Sequence, residues 1–147
     1  MSAMRNSFEE AVKELTLKYP QYAADAYEFM RAGLDYTVNL RKGAQSNKHL
    51  TAAELYTGAC NYALEEYGPL AHKVLQFWGI HSSRDFGCIV YNLIEVGIFG
   101  KQKEDSQEEF ENLPSLEMIL NQPYSVEYTE AFLNTVNAEN DDEHPEH

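Results

Sequence analysis

This chain is short of cysteines and cations and has no long uncharged apolar run, and each shortage excludes something. Its two cysteines, Cys60 and Cys88, belong to no Cys-x-x-Cys pair. An isolated thiol in a reducing compartment acts as a small hydrophobe, so neither a disulfide nor a metal site is expected. Lys and Arg number 11 against 24 Asp and Glu, which leaves a net charge of −13 over 147 residues. A surface of that sign repels phosphate, so nucleic acid is a poor candidate partner. No apolar stretch approaches the roughly 20 residues that cross a bilayer, and no membrane contact is expected. The opening residues, MSAMRNSFEE, lack the apolar stretch and cleavage site of a secretory signal, which makes the cytoplasm the expected location. Gly-x-Ser-x-Gly, a Walker loop and a Cys-His pairing are all missing, so the common catalytic sets have no residues to build them.

What is present suits one ordinary domain. Apolar residues make up 44% of the chain, including ten tyrosines, seven phenylalanines and one tryptophan. A chain of this length buries about 70% of the surface its unfolded form exposes. Charge is distributed unevenly: residues 1–74 hold 8 basic and 9 acidic side chains, residues 75–147 hold 3 and 15. From Glu104 onward there are 13 acidic residues and no Lys or Arg. Residues 138–147 also lack apolar periodicity, so the division expected is a helical domain over 1–137 and a disordered acidic tail over 138–147.

Helical spacing dominates the rest. Ser7 and Glu10 form a capping-box pattern ahead of Phe8, Val12, Leu15 and Tyr19, and Pro20 stops that run. Tyr22, Ala26, Phe29 or Met30, Gly33, Thr37 and Leu40 recur on one face of a second helix that Arg41-Lys42-Gly43 would end. Leu50, Thr51, Glu54 and Leu55 combine a capping box with a hydrophobic staple, which places the third helix start at Ala52. Gly68 ends it and Pro69 opens a short fourth helix on which Leu70, Val74, Phe77 and Trp78 are expected to face inward. Gly79 closes that helix, and Ser82 or Ser83 caps a fifth carrying Phe86, Ile89, Val90, Leu93 and Val96. Ser106 and Ser115 mark two short helices, and Val126 to Val136 a last, more exposed one. The expected fold is therefore all-α, with five main helices and Trp78, Phe77, Phe86, Ile89, Leu93, Leu55 and Tyr62 at its centre.

Few of these residues point to chemistry. Asp85-Phe86-Gly87 matches the kinase magnesium triplet, but a glycine-rich phosphate loop and a His-Arg-Asp loop are missing. Asp85 is better read as an acid in the first turn of a helix, facing its positive end. Adjacent acids at Glu9-Glu10, Glu65-Glu66 and Glu108-Glu109 point about 100° apart on a helix and read as solvated faces. His144 and His147 sit three apart among acids, a spacing that could hold a divalent ion only loosely, since ordering a flexible tail would cost most of the gain. Were a pocket assembled from distant residues, His72, His81, Asp85 and Tyr62 around the Gly-Pro and Trp-Gly-Ile corner are its candidate lining. No catalytic residue, cofactor or metal is assigned.

The 71–100 stretch also has the outline of a helix-turn-helix, so a winged-helix-like core over about 52–100 is an alternative architecture. As a nucleic-acid reader it would need Arg31, Arg41, Lys42, Lys48 and Lys73 gathered beside the fifth helix.

FEEAV at 8–12, AYEFMRAGLDYTV at 26–38, HLTAAELYTGACNYALEEYGPLAHKVLQFWGI at 49–80 and DFGCIVYNLIEVGIFGKQKEDSQEEF at 85–110 carry a resemblance. Over about residues 7–124 the chain resembles an uncharacterised family of short acidic bacterial proteins described mainly from planctomycetes and verrucomicrobia. That resemblance implies no activity and no catalytic residues. The functional expectation is a non-enzymatic protein-interaction domain whose acidic C-terminal half contacts a basic protein partner.

Overall fold

In the structure, a computed structural model of the chain, residues 3–40, 50–100, 107–121 and 123 are described. α1 (Ala3–Lys18), α2 (Ala24–Leu40), α3 (Ala52–Tyr67), α4 (Ala71–Phe77), α5 (Ser83–Glu95) and a short α6 (Leu116–Asn121) follow one another. Two 3-10 turns, Gly68–Leu70 and Gln107–Phe110, join them, and there is no strand among the described residues. The fold is all-α, as expected. Among the described residues no helix is long and apolar enough to cross a membrane. The expected Arg41-Lys42-Gly43 cap, Lys48, Ser106, the helix expected over 126–136, the tail expected over 138–147, His144 and His147 lie outside the described residues.

Helix starts follow the local chemistry with one exception. The Thr51 side chain accepts from the Glu54 N–H at 3.1 Å and Glu54 Oε1 accepts from the Thr51 N–H at 2.9 Å, so α3 begins with the expected capping box. Ser115 likewise accepts from the Met118 N–H at 3.1 Å, ahead of α6. Ser7 does not cap: α1 already runs from Ala3, and Ser7 is an exposed residue within it. Met and Arg are good helix formers, so Met4 and Arg5 carry the helix through the capping pattern rather than starting at it.

α2 and α3 form the closest pair. Gly58 is buried where they cross, and a Cβ there would come within 2.0 Å of Thr37 Oγ1. Only a glycine leaves room for the Thr37 side chain against the α3 backbone. Thr37 itself donates to the Gly33 carbonyl at 2.7 Å, which satisfies a hydroxyl buried in that crossing. Asn92 of α5 donates to the hydroxyl of the fully buried Tyr27 at 3.0 Å and ties α5 to α2.

The core centres on Phe86, whose ring meets Tyr56 edge-on at 4.8 Å and Phe29 at 6.2 Å. Such edge-to-face pairs add about 0.5–1.5 kcal/mol beyond area burial. Leu55, Phe86, Ile89 and Leu93 are buried as expected, and Tyr62 and Trp78 pack at the edge of the core. Phe77 is a correction, because it is 86% exposed, and Leu70 beside the same stripe is 61% exposed. α4 buries Ala71 and Leu75 instead. Its apolar residues form two stripes one position apart, and packing against α3 and α6 selects the one that periodicity did not.

Residues 107–110 pack against α5. Phe110 is buried, its carbonyl accepts from Ser83 Oγ at 2.5 Å, and Tyr56 donates to the Pro114 carbonyl at 2.6 Å. Leu116 and Leu120 then bury against the core.

Candidate functional site

The Trp-Gly-Ile corner is built by backbone against backbone. Gly79 adopts φ +96°, and a Cβ there would meet the Gln21 carbonyl oxygen at 2.0 Å. The Trp78 carbonyl accepts from the Ala23 N–H at 3.1 Å, so the α4–α5 turn is clamped onto the α1–α2 turn. A left-handed φ together with that contact admits glycine alone.

Asp85 completes the clamp. Its Oδ2 accepts from the N–H groups of His81 at 2.8 Å and Ser82 at 3.2 Å, and its Oδ1 accepts from the Tyr22 hydroxyl at 2.5 Å. A carboxylate in the first turn of α5 satisfies amides that the helix leaves unpaired and faces the positive end of its dipole. Burial pushes the Tyr22 hydroxyl pKa up and the neighbouring Asp85 carboxylate adds to it, so the phenol remains a donor at every physiological pH. The Asp-Phe-Gly triplet is thus a cap, a core aromatic and a buried glycine.

The four candidate pocket residues divide. His81 and Asp85 meet, through the His81 backbone, while the His81 side chain is exposed. His72 is half-buried, with its Nδ1 3.0 Å from Asn121 Nδ2, and this bond ties α4 to α6. Tyr62 packs its ring 5.9 Å from Phe29 and 5.5 Å from Tyr36. His72 and Tyr62 therefore serve other contacts. Among the described residues no three His, Cys, Asp or Glu side chains are grouped to hold a metal ion. Cys60 is fully buried, and burial pushes its thiol up to about 12, which leaves it un-ionised at neutral pH.

Two surface features were not legible from spacing. An open cleft of about 580 Å³ lies where the exposed face of α1 passes the end of α5, lined by Ser7, Glu10, Ala11, Glu14, Glu95, Val96 and Gly97. It holds three carboxylates and no basic lining residue, and the negative end of the α5 dipole points into the same region. Glu95 bonds both Lys18 and Tyr19 at the rim, and those bonds hold its carboxyl below the usual carboxylate range. Glu10 and Glu14 are one helical turn apart, the only signal the sequence offered, and nothing local links them to Glu95. The second feature is the outer face of α4, where Leu70 and Phe77 are exposed and Val74 is half-buried.

α5 does not present the surface of a recognition helix. Within Ser83–Glu95 only Arg84 and Glu95 are exposed, and the remaining residues are buried or half-buried. Arg31 lies with its guanidinium 4.3 Å from the centre of the Phe8 ring, on the α1–α2 side. Compared with protein-family models, curated proteins and solved structures, the chain matches none of them.

Proposed function

We propose that the chain is a non-enzymatic, cytoplasmic protein-interaction domain that receives a basic segment of a partner protein on its acidic surface. The observation that carries this reading is the cleft lined by Glu10, Glu14 and Glu95 without a cation among its lining residues. Open, carboxylate-lined surfaces attract Lys- and Arg-rich segments through charge complementarity, which raises association rate and gives specificity. The acidic excess of residues 75–147 enlarges the same field. A winged-helix reading draws no support from α5, which exposes only Arg84 and Glu95. The resemblance over residues 7–124 brings no activity with it, so the reading rests on the chain's own residues.

Calorimetric titration with a Lys- and Arg-rich helical peptide tests it. Binding is expected at about 50 mM salt and should weaken steeply toward about 500 mM, where exposed charges are screened over a few ångströms. The Glu10→Gln, Glu14→Gln double variant, altered only at exposed positions, should bind several-fold more weakly. Equal binding of a neutral peptide, or an unchanged affinity in the double variant, contradicts the proposal.

A further inference from the structure

Four half-buried aromatic rings run along the junction of α2, α3 and the end of α4. Tyr36 of α2 and Tyr62 of α3 lie with ring centres 5.5 Å apart, and Tyr67 at the end of α3 meets Trp78 edge-on at 5.8 Å. The buried ring of Phe29 joins the two pairs, 5.9 Å from Tyr62 and 6.0 Å from Trp78. The band is therefore continuous, with one ring in the core and four that keep part of their surface in water.

Its rim is acidic. The exposed Glu65 accepts from the Tyr36 hydroxyl at 2.6 Å. Burial pushes the Tyr62 and Tyr67 hydroxyls up, Glu66 adds to both and Asp25 adds to Tyr67, so these two exposed carboxylates flank the same rings. Among the described residues Asp25, Glu65 and Glu66 have no ion-pair partner. Arg31, on the same helix as Tyr36, lies over the Phe8 ring instead.

The combination decides what fits. The face of an aromatic ring attracts cations, and a flat, weakly hydrated guanidinium stacks on it better than an ammonium does. A carboxylate beside the ring adds a charge-assisted hydrogen bond. A purely apolar partner would strip water from Glu65 and Glu66 and give nothing back, and an anionic one would be repelled. We propose that the Tyr36, Tyr62, Trp78 and Tyr67 band is a docking surface for an arginine-bearing segment of a partner protein, with guanidinium groups stacked on the rings and bonded to Glu65 and Glu66. The cleft between α1 and α5 attracts positive charge of any kind, whereas this surface distinguishes arginine from lysine and shares no residue with the cleft.

Trp78 is the only tryptophan in the chain, so its emission reports on this surface directly. Titration of the full chain with a hexa-arginine peptide at about 50 mM salt should shift that emission to saturation, and hexa-lysine should bind about fivefold more weakly. Tyr36→Leu should weaken the arginine peptide several-fold, while Tyr36→Phe, which keeps the ring, should bind like the parent. Glu66→Gln, altered at an exposed position, should weaken both peptides. The Glu10→Gln, Glu14→Gln variant should leave the fluorescence titration unchanged, so that the two surfaces can fail separately. An unmoved emission, equal affinity for the two peptides, or unchanged affinity in both Tyr36→Leu and Glu66→Gln overturns the proposal. A response lost in the Glu10→Gln, Glu14→Gln variant overturns it as well, because the peptide is then held in the cleft.

Discussion

α4 and α5 are separated by one glycine turn, and both read as amphipathic helices, yet their apolar residues meet opposite fates. α5 buries Phe86, Ile89, Val90 and Leu93 on the face that its spacing marks. α4 exposes Phe77, as the turn before it exposes Leu70, and buries Ala71 and Leu75. The difference is one of length and contrast. Thirteen residues of α5 alternate enough apolar and polar positions to fix a direction, whereas seven residues of α4 hold two apolar stripes about 100° apart. With phase undetermined by the helix itself, the tertiary neighbours decide.

Substitutions that cut into the α5 side of this contrast should have the largest effect. Phe86→Ala removes a fully buried ring from between Tyr56 and Phe29 and should cost about 3–5 kcal/mol, read from the urea midpoint. Next comes the turn between the two helices. Gly79→Ala places a Cβ against the Gln21 carbonyl at a φ of +96° and should cost about 2 kcal/mol or more in thermal unfolding.

Two smaller effects sharpen the contrast without unfolding the chain. Cys60 lies in the core with its thiol pushed up to about 12, while Cys88 on α5 is half-buried and accepts from Gln107 Nε2 at 3.4 Å. A thiol reagent at neutral pH should label Cys88 first and Cys60 only as the protein unfolds, as timed mass spectrometry would show. The smallest effect belongs to the exposed Lys18–Glu95 pair that joins α1 to the end of α5. The hydrogen bond and charge of Lys18 depress the Glu95 carboxyl, so its stabilisation is present above the ordinary carboxylate pKa and is lost as pH falls through the lowered one. The Lys18 pKa is raised by the same bond, so its share is lost only as pH rises through the raised value. Glu95→Gln should therefore flatten the acid limb of the stability curve slightly and leave the neutral region nearly unchanged.

Legibility in the sequence divides along the same line. The α3 start at Ala52 and the role of Asp85 were readable because a capping box is complete within four residues. Ser7 matched the same pattern without acting as a cap, since helix formers upstream of it extend α1 to Ala3. The contacts that build the corner were hidden for a different reason. Tyr22 and Asp85 are 63 residues apart, His72 and Asn121 are 49 apart, and no local rule pairs them. The cleft was hidden in the same way: Glu10 and Glu14 lie on α1, and only the fold brings Glu95 to them.

The orientation of α4 is the claim on which both the core and the exposed apolar stripe depend, and paired urea denaturation of Leu75→Ala and Phe77→Ala tests it most directly. Leu75 is fully buried, so its truncation should cost about 2–5 kcal/mol. Phe77 is 86% exposed, so its truncation should cost no more than about 1 kcal/mol. Equal losses, or a larger loss at Phe77, would mean that α4 turns its Leu70–Phe77 stripe inward and would contradict the account.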